Sequence, residues 1–249
     1  MMLKKIARTM AYIGSIITGF YLFTSAPGFH KREKWQHLTG WDYAHRGLHD
    51  NEHGIPENSM AAFQRAVDKG YGIELDVHLT ADNQLVVFHD DTLTRMCGIN
   101  KKISGFLYSY LQQLRLLGTG EGIPLFKDVL ALVDGKVPLI IELKVDGSNQ
   151  NLLCPLVWQL LSGYKGSYCI ESFHPFVLQW FKRHQPQVVR GQLSCNFFKE
   201  NPHCDIVLFL MSNLMTNFFT HPDFIAYKYL DLKNPAVIYN RKLFRIMTV

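Results

Sequence analysis

Between Gly72 and Leu79 apolar and polar side chains change places at every step. Ile73, Leu75, Val77 and Leu79 alternate with Glu74, Asp76 and His78. Period-two alternation marks a strand and puts Glu74 and Asp76 on one face, roughly 7 Å apart. On a solvated face the two acids need no explanation. Turned into a cleft or a barrel, two like charges need a proton or a cation. Short apolar runs recur along the chain and predict strands over Asp42–Arg46, Gly72–Val77, Leu85–His89, Val137–Leu143, Ser167–Ser172, Val188–Leu193, Asp223–Tyr227 and Phe244–Val249. Helical spacing predicts helices over Ser59–Lys69, Leu125–Val133, Asn151–Leu161 and Pro175–His184. The first of these has Asn58-Ser59 in capping position and stops at Gly70. Strands alternating with helices in this way point to an α/β barrel. Only about seven residues part the second strand from the third, too few for a helical crossover, so an irregular barrel is expected there.

The N-terminus breaks this pattern. Lys4, Lys5 and Arg8 precede an uncharged run from Thr9 to Phe29, and Lys31 follows. That run is long enough to span a bilayer as a helix. It reads as a retained anchor, as a signal peptide cut near Thr24-Ser25-Ala26, or as a buried helix of the globular part. The anchor is the reading expected, over residues 1–30. The basic start favours an N-terminus inside and an extracytoplasmic globular domain, over residues 40–249.

Composition adds little beyond class. A chain of 249 residues, 47% hydrophobic and 19% charged, has the make-up of an ordinary globular protein. The net charge of +5 is spread along the chain, without the basic stripe of a nucleic-acid binder. It suits anionic lipid or an anionic small molecule better. The cysteines at 97, 154, 169, 195 and 204 have no metal-ligand spacing and read as core or surface residues.

Polar residues gather at the strand ends. His45 and Arg46 close the first strand, Glu74 and Asp76 lie on the second, His89 closes the third, and Glu142 and Lys144 close the fourth. Catalytic groups in α/β barrels cluster at the C-terminal ends of the strands. One such histidine is ordinary, but seven chemical groups at matched positions on four strands outline a site.

The segments A-H-R-G-L-H, P-E-N-S, G-I-E-L-D-V-H-L-T-A-D, V-V-F-H-D-D-T-L-T-R, I-E-L-K and E-S-F-H-P together resemble the glycerophosphodiester phosphodiesterase family. The resemblance runs from about Asp42 to the C-terminus and is most specific between Ala44 and Arg95. It implies a TIM-like (β/α)8 barrel of the phospholipase-C-like phosphodiesterase type. It also implies metal-dependent hydrolysis of a glycerophosphodiester to glycerol 3-phosphate and an alcohol. By the same resemblance Glu74, Asp76 and Glu142 match metal ligands, and His45 and His89 match an acid–base pair. Arg46 and Lys144 match cations on the phosphate side, and Glu57 and Asn58 stand at the rim that binds substrate. The chemistry agrees, because three convergent carboxylates with all-oxygen ligation suit a hard cation, Mg2+ or Ca2+. Two histidines titrating near neutrality suit proton transfer in both directions.

Weaker candidates surround these. His49, His53 and His78 are expected in surface or supporting roles, and Asp90 and Asp91 in orienting the loop after the third strand. Residues 92–123 exceed an ordinary connection and are expected to form an insertion over the rim. In S-F-H-P, Ser172 and Phe173 match the family pattern, while His174 replaces an acid. The final R-I-M-T-V reads as the eighth strand, between strands one and seven. A closing helix is missing after it, so truncation and low stability are expected. Two alternatives to the main activity stay open: a lysophospholipase D acting on lysophospholipids, and an inactive membrane-tethered barrel.

Overall fold

The structure is a computed structural model that describes residues 2–28, 32–199 and 205–249. In chain order its first elements are α1 (Met2–Ser25), β1 (Tyr43–His45), α2 (Met60–Lys69), β2 (Gly72–Leu79) and β3 (Leu85–Val87). Next come α3 (Thr94–Cys97), α4 (Tyr108–Leu111), α5 (Phe126–Val133), β4 (Leu139–Leu143), α6 (Gln150–Leu161), β5 (Tyr168–Ser172) and α7 (Pro175–His184). The chain ends with β6 (Val189–Ser194), α8 (Ile206–Ser212), α9 (Asn217–Thr220), β7 (Phe224–Tyr227), α10 (Pro235–Lys242) and β8 (Met247–Thr248). Phe29, Lys31 and Cys204, named above, lie outside the described residues. The chain divides into two compact units, residues 31–190 and residues 1–30 with 191–249.

In the larger unit β1, β2, β4 and β5 pair side by side, all parallel. Alternation along β2 turns Ile73, Leu75 and Val77 into a core shared with Phe63 of α2, Phe126 and Val129 of α5, Val157 of α6 and Phe181 of α7. Every residue of β2 is buried, so Glu74, Asp76 and His78 face an interior and not water. Local chemistry sets the helix boundaries. Ser59 caps α2 by accepting the Ala62 N–H at 3.1 Å, and Gly70 stops it in the left-handed region at φ 73°.

The third strand departs from expectation. β3 is antiparallel to β2, pairing Val87 with Val77 and Leu85 with Leu79, and lies off the parallel path. Residues 80–84 form a tight turn with Asn83 at φ 60°. A connection this short can join only antiparallel neighbours, because a parallel return needs a dozen or more residues. Instead of standing beside the second strand as a barrel strand, this segment folds back onto it.

Residues 92–123, where an insertion is expected, have a small core of their own. Leu93, Met96, Ile103, Leu111 and Leu116 pack with Val86, Phe88 and Leu125. Phe106 stacks on Tyr110 at 4.8 Å. Polar ties fasten it, with Lys102 and Ser104 both donating to Asp146, at 2.5 and 2.6 Å.

In the smaller unit β6, β7 and β8 run parallel, with Gly191 opposite Phe224 and Phe224 opposite Met247. The last strand is two residues long where Phe244–Val249 was expected, and it pairs with β7, one of the two neighbours expected of it. Helix α1 has 24 residues and is long and apolar enough to cross a membrane. Its most apolar stretch is entirely exposed, which rules out the buried-helix reading. Its C-terminal end is held, by the Asn217 amide donating to the Ser25 carbonyl at 2.9 Å, by Phe23 against Phe218 and by Tyr21 edge-on to Tyr239.

Candidate active site

At the end of β1 the backbone turns sharply. Arg46 has φ 59° and Gly47 φ 79°, and the Arg46 N–H donates to Glu74 Oε2 at 2.9 Å. The parallel register sets His45 beside Glu74, with His45 Nε2 3.8 Å from the same oxygen. The His45 imidazole is largely exposed, while Glu74 is buried. The Arg46 guanidinium reaches Glu57 Oε1 at 2.8 Å and holds Nε 3.9 Å from Asp76 Oδ2. Asn58, at φ 54°, donates its amide to Asp76 Oδ2 at 2.8 Å.

Parallel pairing also sets Asp76 level with Glu142, and Glu142 level with Glu171. Ligand oxygens of Glu74, Asp76 and Glu142 all lie within 4.8 Å of one another. Lys144 bridges two of them, at 2.9 Å from Asp76 Oδ1 and 2.7 Å from Glu142 Oε1. Burial and the Asp76, Glu171 and Glu142 carboxylates push the Glu74 carboxyl well above its ordinary range. Burial raises Glu142 to about 7 against the pull of Lys144. Burial, Glu142 and Asp76 raise Glu171 to about 8. Burial works against Asp76 as well, but Lys144, His89 and Asn58 hold it below the usual carboxylate range.

These groups fit a divalent cation. Lys144 contacts Asp76 and Glu142, and Arg46 Nε stands 3.9 Å from Asp76, so the four carboxylates of Glu74, Asp76, Glu142 and Glu171 outnumber the cations beside them. Asp76 Oδ1 is buried and makes no well-aligned hydrogen bond. An all-oxygen donor set with converging negative charge is what a hard ion requires. Glu171 belongs to this cluster although sequence reading passed over it. The signal was available, since strand alternation in I-E-S sets it on the face of Glu142.

His89 reaches the site by an unexpected route. Because β3 runs antiparallel, the chain descends along β2, and the Phe88 N–H donates to the Asp76 carbonyl at 3.0 Å. His78, buried and lowered by that burial to about 4, lies under the next peptide, with Nε2 3.3 Å from the His89 carbonyl. His89 Nδ1 lies 2.7 Å from Asp90 Oδ1. The Arg95 guanidinium then makes four hydrogen bonds, two to Asp90 at 2.8 and 2.9 Å and two to Glu57 at 2.7 and 2.8 Å. Burial would raise the Glu57 carboxyl, but hydrogen bonds from Arg95 and Arg46 hold it down at about 2.

The other candidates sit further out. His49 is exposed, and exposed His53 pairs with Asp50 at 2.8 Å. Asp91 is exposed, and its carbonyl accepts the Ile103 N–H at the start of the insertion. Ser172 ties β5 to β4 by donating to the Leu143 carbonyl at 2.7 Å, and its hydroxyl accepts the His174 N–H at 3.1 Å. Cys154 is a core residue, as expected.

Known proteins resemble this chain. The model of the glycerophosphoryl diester phosphodiesterase family matches residues 45–203. A lysophospholipase D of Rattus norvegicus is 36% identical over 165 residues, covering 61% of this chain and 50% of its own length. A glycerophosphodiester phosphodiesterase of Caldanaerobacter subterraneus subsp. tengcongensis is 40% identical over 163 residues, covering 60% of this chain and 65% of its own. The chain therefore spans about half to two-thirds of the length of these curated relatives. A crystal structure of a glycerophosphodiester phosphodiesterase from Parabacteroides distasonis superposes with a TM-score of 0.64 at 27% identity, covering 84% of this chain and 82% of the other. The parallel strand path is that of a TIM-like fold.

Proposed function

This chain belongs to the glycerophosphoryl diester phosphodiesterase family, and from that premise we propose that it hydrolyses glycerophosphodiesters to glycerol 3-phosphate and an alcohol. The observation that carries the reading is the convergence of Glu74, Asp76 and Glu142 to within 4.8 Å beside His45 and His89. In this reading those three carboxylates hold a divalent cation, magnesium or calcium, which when bound polarises a phosphoryl oxygen. The chain's own groups do the rest. Arg46 and Lys144 balance the phosphate charge. One of His45 and His89 takes the proton of the attacking hydroxyl, and the other returns one to the leaving oxygen. Glu57 and Asn58 line the rim and act by steadying Arg46 and Asp76. The insertion over residues 92–123 shapes the substrate side with Leu107 and Tyr110, both exposed.

A second reading, a lysophospholipase D, is favoured by the rat relative of that name and by α1, which would hold the chain at a membrane. One experiment tests both: glycerophosphocholine and lysophosphatidylcholine assayed side by side with magnesium, calcium or EDTA. The expected result is cation-dependent turnover of glycerophosphocholine. Glu74→Ala, Asp76→Ala and Glu142→Ala should each lose turnover, and lose cation binding in calorimetric titration. Preference for the lysolipid would select the second reading. Turnover unaffected by EDTA, or unchanged cation affinity in all three variants, would sink the metal site.

A further inference from the structure

We propose that Asp90 and Arg95 are positioning residues that lock His89 and Arg46 into a single ionic ladder. The ladder runs from His89 to Asp90, from Asp90 to Arg95, from Arg95 to Glu57, and from Glu57 to Arg46. Every link is a hydrogen bond between 2.7 and 2.9 Å. This inference rests on the reading of His89 and Arg46 as working groups of a phosphodiesterase site, and it adds two residues to which that reading gives no part.

The argument begins with hydrogen-bond valence. Asp90 is held below the ordinary carboxylate range, because the hydrogen bonds from Arg95 and His89 outweigh its burial. An ionised carboxylate has only acceptors, so the proton in the His89–Asp90 bond belongs to His89 Nδ1. A neutral His89 must then carry its lone pair on Nε2, the nitrogen left for proton transfer. Asp90 thereby selects the tautomer as well as the ring orientation.

Arg95 explains why Asp90 stays in place. Its guanidinium lies between two carboxylates and meets each through two hydrogen bonds. Only a planar fork with five donors makes that double bidentate contact, and a lysine ammonium does not. Glu57 is the other jaw, and Asn51 completes it, its amide donating to Oε2 at 3.3 Å and its carbonyl accepting the Glu57 N–H at 2.8 Å. Glu57 in turn holds Arg46 Nη1. Two working groups that arrive on different segments, one ending β1 and one following the β2–β3 hairpin, are set by one shared pivot.

The test has one arm that needs no turnover. Nitrogen-15 NMR of the histidine rings in the full chain, in detergent and without added metal, should show neutral His89 protonated at Nδ1. In Asp90→Ala and Arg95→Ala that preference should be lost, and added guanidinium should restore it in Arg95→Ala. The kinetic arm uses glycerophosphocholine. Asp90→Ala should lower kcat while changing KM little, and Glu57→Gln should mainly raise KM. Arg95→Lys should do both, with a loss in kcat/KM on the order of a hundredfold, the cost of misplacing reactive groups by about an ångström. Combining Arg95→Lys with Asp90→Ala should cost less than the product of the two. A wild-type His89 protonated at Nε2, or a wild-type tautomer and kcat in Arg95→Ala, would overturn the ladder. A chain with the expected tautomers and no turnover of any phosphodiester would leave the ladder standing and sink the proposed function instead.

Discussion

Glu142 and Glu171 sit level on neighbouring strands, and both bind a proton more tightly than an exposed glutamate does. Their carboxyls are raised to about 7 and about 8, with Glu74 raised as well. A proton held more tightly by the folded chain stabilises it below the ordinary carboxylate range. That contribution is lost as pH climbs through the raised values. Glu57 works the other way. Depressed to about 2, its contribution is complete above the ordinary range and disappears only in stronger acid, so it does not mask the trend. Buried His78, lowered to about 4, adds stability until pH passes its ordinary value, so without added divalent ions the melting temperature should fall above that range, between about pH 7 and about pH 9. Magnesium or calcium should restore it more at the upper end, where the carboxylates are ionised and free to bind. Scanning calorimetry across that range checks the sign. A metal-free protein that gains stability with rising pH would refute the account of the carboxylate cluster.

The turn after β1 carries a comparable burden for an element. Gly47 has φ 79°, and a Cβ there would stand 2.9 Å from the Ala62 Cβ and 3.0 Å from the Ala62 carbonyl carbon, at the start of α2. Gly54 has the same φ of 79° with nothing within 4 Å. The pair separates backbone strain from close approach. Gly54→Ala should cost only the left-handed penalty, about 1 kcal/mol. Gly47→Ala should cost on the order of 3 kcal/mol, because α2 must also shift. It should raise KM too, since Arg46 precedes it. Urea denaturation of the two variants gives the comparison, and equal losses would mean that helix packing does not constrain this turn.

For the whole molecule the question is whether α1 holds the chain to a membrane. Most of α1 stands clear of other residues, while Thr24 and Ser25 are buried. The apolar part is thus available to lipid while its last turn belongs to the smaller unit. If α1 is a retained anchor with the remainder outside the cytoplasm, the full chain should stay in membranes through an alkaline carbonate wash. A variant lacking residues 2–19 should be released, because it keeps the turn that packs on α9. N-terminal sequencing separates anchor from signal, since a mature chain starting near Pro27 would show that the segment is cleaved.

Local pattern determined a good deal of this protein by itself. Alternation in G-I-E-L-D-V-H-L placed both acids of β2 on one face, capping chemistry bounded α2, and the Pro175–His184 helix stands where its spacing put it. Such features depend on neighbours a few residues apart, which is the range over which side-chain period and capping act. His45, Arg46, Glu74, Asp76, Glu142 and Lys144 could be read as a set because parallel strands present their C-terminal ends together. What the pattern could not decide was pairing at a distance. A strand's period is the same whichever way it runs, so V-V-F-H alone did not show its direction; the short connection before it forced the antiparallel return, and the fold decided that this carries His89 down along β2. Glu171 joined the acids only when β5 took its register against β4. Arg95 and Glu57, 38 residues apart, became partners only once the chain folded. Charge pairing of this kind is set by tertiary contact, and only the folded chain decides it.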